Sequence, residues 1–156
     1  MQIVLLFPNK LKPNEMVSAE TLYLKRLKKY KVIMDEYRCI NRKKSSANNR
    51  ENDKYILNKI KKDDILVVCD ERGKIIKTME LVNILNDFKT KKNVTNNRLI
   101  FLIGGPYGLS DNVRNRADII CSLSGLILAG SIARLVLLEN LYRCFMIIDN
   151  HPYHNN

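Results

Sequence analysis

Apolar residues along this chain fall into short dense runs, separated by longer segments where they recur every three or four positions. Ile3 to Phe7 is an unbroken apolar run closed by Pro8, the pattern of a short buried strand. In Val17 to Tyr30, Leu22, Leu24 and Leu27 stand among Lys and Arg, which predicts an amphipathic helix. Lys31 to Ile40, with Val32, Ile33, Met34 and Tyr37, reads as a second strand. Arg42 to Asn52 is polar and basic and reads as a loop. Asp53 to Lys61 then sets Ile56, Leu57 and Ile60 on one helical face.

The second half repeats the alternation. Asp64 to Asp70 is a buried strand, and Glu71-Arg72-Gly73-Lys74 is expected to turn. Thr78 to Phe88 carries Leu81, Ile84, Leu85 and Phe88 at helical spacing. Leu99 to Ile103 is a strand that ends in Gly104-Gly105-Pro106-Tyr107-Gly108. Ser110 is the expected cap of a short helix from Asp111 to Arg116. Ala117 to Leu123 is a last strand, and Ser131 is the expected cap of a long helix reaching Ile148, followed by a short tail. Strands separated by helices predict an α/β fold with a mostly parallel sheet and helices on both faces, as a single domain over 1–156.

Charge adds a partner to this picture. Lys and Arg number 27 against 16 Asp and Glu, a net +11, which points to a polyanion such as nucleic acid. Many of these lysines sit with Asn in loops, so a plain compositional bias is the competing explanation. The four cysteines show no C-x-x-C spacing and read as reduced thiols rather than disulfides or zinc ligands. The first apolar run is too short for a secretory leader, and Gly130 and Arg134 interrupt the most apolar later segment, Leu123 to Leu138. A cytoplasmic protein with no membrane span is expected.

In parallel α/β sheets, ligands bind beyond the carboxyl ends of the strands. Three loops leave such ends: Cys69 to Lys74, Gly104 to Ser110 and Leu123 to Gly130. They are expected to converge on one pocket. The paired glycines permit close backbone approach to a ligand. They are not a G-x-G-x-x-G fingerprint, because Ile103 fills the first glycine position, nor a P-loop, because no G-K-[ST] follows. Leu123 to Gly130 is either core or an apolar loop whose backbone reads an adenine edge. The last helix is apolar nearly all round, so it lies centrally or in a subunit interface. Glu139 and Arg143 share a face and are predicted to pair, with Arg134 on the opposite side. An internal ion pair and an Arg facing an anionic substrate both remain open. His151-x-x-His154 contains Pro152 and has no third ligand in view, so no metal is expected.

Taken in order, Leu99 to Ser110, Ser122-Leu123-Ser124, Arg134, Leu138 to Arg143 and Pro152-Tyr153-His154 resemble a bacterial family of SPOUT-class enzymes that methylate N3 of a pseudouridine in 23S rRNA. Asp70 to Lys74 looks like that family's D-x-x-G-K turn. The resemblance covers essentially the whole chain. It implies a homodimer with a C-terminal trefoil knot, whose loops hold S-adenosylmethionine in a bent pose. By matching motifs, cofactor contacts fall at Cys69, Gly105, Ser124, Gly125, Leu126, Ile127, Leu128 and Ala129. The substrate side falls at Arg143, Tyr153 and His154, with 23S rRNA in the assembled ribosome as partner. Arg143 would stabilise the imide anion and His154 would accept the proton. The chain departs from the family at Ala129-Gly130-Ser131, where Pro-His-Gln is usual. That departure leaves a non-catalytic RNA-binding dimer of the same fold as the alternative. An unrelated nucleotide-binding enzyme is a third reading, which the glycine spacing tells against.

Overall fold

A computed structural model of the chain describes residues 2–10, 15–40, 46–90 and 97–153. The apolar runs form five strands: β1 (Gln2–Pro8), β2 (Val32–Tyr37), β3 (Ile65–Ile75), β4 (Arg98–Ile103) and β5 (Ile119–Ser122). All neighbours pair in parallel, in the order β2-β1-β4-β3-β5. Between them run α1 (Glu15–Leu27), which continues into a 3-10 turn over Lys28–Tyr30, then α2 (Ser46–Leu57), α3 (Thr78–Thr90) and α4 (Asp111–Arg116). The chain closes with α5 (Gly130–Ile148). The predicted α/β architecture is therefore the observed one.

Successive strand residues point to opposite faces, and here both faces are covered. Ile3, Leu5, Phe7, Val67, Leu99 and Phe101 join a core completed by α1, α3 and α5. Val4, Leu6, Leu66, Val68, Ile100 and Leu102 join a smaller one with Ile56 of α2 and Val113 of α4. A sheet buried on both sides explains why these strands read as continuous apolar runs. It also settles where α5 lies: Leu137, Leu138, Leu141 and Cys144 are fully buried against the sheet and its neighbouring helices.

Three local expectations are corrected. The stretch Arg42 to Asn52 is not all loop, and the helix assigned to Asp53–Lys61 starts at Ser46 and ends at Leu57. Its polar residues have tertiary partners: Asn52 accepts from the Ile40 N–H (2.8 Å), and Asp53, itself buried, accepts from Asn112 (3.5 Å). Glu71 to Lys74 is not a turn, because β3 runs on to Ile75. Both Cys69 and Lys74 register with Cys121, so β3 shifts between them and passes β5 twice. Ser131 caps nothing: α5 begins at Gly130 after an extended Ala129 that makes no side-chain cap. Ser110 does cap α4, accepting from the Val113 N–H at 3.3 Å.

Candidate active site

The site begins where β1 and β2 end. Asn9 has φ 49°, a left-handed conformation that Asn tolerates better than most residues. Hydrogen bonds hold it there. Its N–H donates to the Tyr37 carbonyl (2.9 Å), its side-chain amide donates to the Cys39 carbonyl (3.0 Å), and its side-chain oxygen accepts from the Cys39 N–H (2.9 Å). Cys39 in turn lies under the glycine turn after β4: a Cβ on Gly105 would sit 2.3 Å from the Cys39 Sγ. The turn is closed by the Gly108 N–H donating to the Gly105 carbonyl (2.9 Å), with Gly108 at φ 74°. Only glycine adopts that angle at little cost.

Above this floor lies a cavity of about 830 Å³, a size suited to a cofactor. The three loops singled out from sequence do converge on it, joined by Pro8 to Lys10. Cys69, Gly105, Ser124, Leu126, Ile127, Leu128 and Ala129 line it; Gly125 lies within the same loop but does not. The loop after β5 is shaped by its serines: Ser122 donates to the Ser124 carbonyl (2.7 Å), and Ser124 Oγ accepts from the Leu126 N–H (2.9 Å). Among the described residues, no hydrogen bond takes the N–H groups of Gly125, Ile127 and Leu128. Backbone groups left open in an apolar loop suit recognition of a planar heterocycle edge.

Charge around the cavity is arranged in two ways. Arg134 lines the wall yet is buried, its guanidinium paired to Glu20 through two contacts (2.7 and 3.0 Å) and to Glu36 (3.3 Å). It also donates to the Asn9 carbonyl (2.9 Å) and lies over the Phe7 ring. Its donors therefore face inward, and Arg134 acts as an internal brace. Asp70 accepts from the Arg72 N–H (3.0 Å) and from Arg114 (3.1 Å). Cys69 and Cys121 pair across β3 and β5; the bond to Cys121 and burial together push the Cys69 thiol well above its usual range. None of the four cysteines forms a disulfide.

Arg143 and Tyr153 are not at the cavity. They form a separate cluster further along α5, where Arg143 pairs closely with Glu139, as predicted, and lies 5.3 Å from the Tyr153 ring centroid. Tyr153 donates to Glu139 (3.4 Å) and meets the Tyr142 ring edge-on at 4.9 Å. The Tyr153 phenol is pushed up to about 12, first by its hydrogen bond to Tyr23 and then by burial. It is a proton donor at neutral pH, not a base. Glu139 also raises the Arg143 guanidinium, which stays charged. His154 lies outside the described residues.

The sequence profile of a family described as predicted SPOUT methyltransferases matches residues 1–154. This chain belongs to the SPOUT methyltransferase family. Among its relatives, the ribosomal RNA large subunit methyltransferase H of Syntrophotalea carbinolica is 42% identical over 106 residues, 68% of this chain and 66% of that protein. That match spans just under two thirds of the relative. Proteins of the same name from Bacteroides thetaiotaomicron (30% identical over 159 residues) and Christiangramia forsetii (34% over 161) align over 99% of both chains. Membership of a SPOUT methyltransferase family means that the protein draws on a methyl donor. Among the described residues, no helix is long and apolar enough to cross a membrane and no cluster of three His, Cys, Asp or Glu is placed to hold a metal.

Sequence reasoning missed Asn9 and Lys10 as parts of this site. Pro8-Asn9 at the end of the first strand was a visible signal. Its use required knowing that β1 lies beside β4, which only the sheet order supplies.

Proposed function

We propose that this protein transfers a methyl group from S-adenosylmethionine to N3 of a pseudouridine in 23S rRNA, on the assembled ribosome in the cytoplasm, as a homodimer. The observation that carries the reading is the cavity at the strand ends, lined by Cys69, Gly105 and the Ser124–Ala129 loop, in a chain of this family. S-adenosylmethionine supplies an electrophilic methyl carried on a sulfonium sulfur.

The chain's own residues have three tasks. The open N–H groups of Ile127 and Leu128 and the apolar wall of Leu109 and Leu128 hold and orient the donor. The Cys69 thiol, kept protonated by Cys121 and burial, does not compete as a nucleophile for the methyl. On the acceptor side, Arg143 stabilises the imide anion formed when the N3 proton leaves. Tyr153 is protonated at working pH and serves as a hydrogen-bond donor, which leaves His154 as the proton acceptor. The homodimer is needed to bring Arg143 and Tyr153 to a cavity that they do not line within one chain. The C-terminal knot belongs to the same reading. What supports it is membership of the SPOUT methyltransferase family.

Calorimetry should detect S-adenosylmethionine binding, and mass spectrometry of large-subunit rRNA should show one methylated pseudouridine that disappears without the protein. Arg143→Ala and His154→Ala should each lower methylation at least about 100-fold while leaving cofactor affinity within about twofold. Full activity in both variants would place the acceptor site elsewhere. The alternative of an RNA-binding dimer without transfer rests on the Ala129-Gly130-Ser131 departure alone; Ala129 still lines the cavity and α5 still starts at Gly130.

A further inference from the structure

Next to the Arg143 cluster, Arg26 in the last turn of α1 lays its guanidinium over two rings, 5.5 Å from the Tyr23 centroid and 5.3 Å from that of Tyr142. Tyr23 and Tyr142 meet edge-on at 6.1 Å, and Tyr142 continues to Tyr153 at 4.9 Å. One row of three rings thus joins Arg26 to Arg143. The cations of this region differ in what neutralises them. Arg143 is paired with Glu139, and Lys29 lies 3.5 Å from Asp149. Arg26 is exposed, and among the described residues it has no carboxylate partner and no hydrogen bond.

A guanidinium packed on two rings has surrendered part of its rotamer freedom before any ligand arrives. Its planar fork of donors is nevertheless unused, and such a fork matches a phosphate bidentately. Tyr23, Tyr142 and Tyr153 are partly buried against the core, and a free cation held beside such tyrosines is a combination that binds an unstacked nucleotide. Arg143, with part of its donor fork engaged by Glu139 and the rest assigned to the acceptor base, has no donors left over for a phosphate as well.

We infer that Arg26 binds a backbone phosphate of the RNA strand, next to the nucleotide presented to Arg143 and Tyr153. The inference rests on the proposed rRNA methylation, and it assigns to α1 a role in substrate binding. Arg26 does not line the cofactor cavity, so cofactor affinity is not its readout.

The test measures binding of the full-length protein to ribosomes lacking the modification, from 50 to 200 mM salt. Each phosphate contact on a single strand contributes about 0.7 to the slope of log K against log salt concentration. Arg26→Gln should weaken ribosome binding about tenfold at low salt and make the slope shallower by about 0.7. S-adenosylmethionine affinity and melting temperature should stay at wild-type values. Arg26→Lys, which keeps the charge, should restore the slope. An unchanged slope in Arg26→Gln, even with weaker binding, overturns the inference and leaves Arg26 a brace for the tyrosines. If the wild type binds ribosomes but methylates nothing, the proposed activity falls, while the slope comparison still decides the role of Arg26.

Discussion

Gly105 and Gly73 both lack room for a side chain, but what fills the room differs. At Gly105 the obstacle is the Cys39 Sγ, 2.3 Å from an added Cβ. At Gly73 it is the Cys121 backbone, with N, Cα and carbonyl carbon all at 2.6–2.7 Å. A side-chain atom can be deleted; a backbone cannot. Gly105→Ala should therefore destabilise by about 1–3 kcal/mol and weaken S-adenosylmethionine binding, with much of both losses recovered in Gly105→Ala/Cys39→Ala. Gly73→Ala should cost at least as much, with no recovery in Gly73→Ala/Cys121→Ala. Denaturant titration of the four variants measures the coupling. Equal behaviour of the two pairs would contradict the packing described. The sequence showed the glycine pair as a close-approach turn, and the turn was found. Nothing local to Gly73 signalled that a second strand passes against it, because that contact joins residues almost fifty apart.

At the scale of elements, long-range ion pairs decide what local pattern could not. Arg134 braces α5 to α1 through Glu20 and to the end of β1 through Asn9. Its partner in α1 gives no sign in a periodicity plot. Asn52, read from sequence as loop, lies in α2 for a similar reason: it accepts from the Ile40 N–H, a partner that periodicity does not show. By contrast, the strands and α3 were legible because burial on both sheet faces imposes an unbroken apolar run. Asp64, ahead of β3, shows how such pairs set acid stability. Its side chain is fully buried and bonded to Arg98 (2.5 and 3.1 Å) and to the Lys61 N–H (2.7 Å). Burial alone would raise this carboxyl, but Arg98 and the backbone donors outweigh it and hold it below the usual range. A carboxyl depressed in the folded state stabilises at pH above its unfolded value, about 3.9. That contribution is lost as pH falls through the folded value. Urea midpoints should be flat from pH 7 to about 5 and drop below about 4. Asp64→Asn should lower the plateau and make the acid drop shallower. A drop as steep as in the wild type would remove Asp64 from the account.

At the scale of the whole molecule, the two halves of the proposed site stand apart on one helix. Arg134, at the cavity wall, and Arg143 are nine residues apart, which puts them about 13 Å apart along the axis and on opposite sides of α5. No rotamer change within one chain brings Arg143 or Tyr153 to the Ser124–Ala129 loop. Leu126 and Ile127, at the cavity mouth, are 76% and 83% exposed, an apolar rim that a second copy would cover. In a two-fold dimer each cavity would receive its Arg143 from the partner. The consequence is complementation between two dead variants. Gly105→Val blocks the cofactor cavity; Arg143→Ala removes the acceptor-side cation. Each homodimer should be inactive. When they are mixed, unfolded and refolded together, half of the dimers are heterodimers, and one of the two sites in each heterodimer is intact. The mixture should then recover about a quarter of wild-type methylation. Recovery should follow heterodimer content when the mixing ratio is varied, and sizing should show dimers throughout. If each site were complete within one chain, no mixture of these variants would methylate anything, because every chain would carry one broken half.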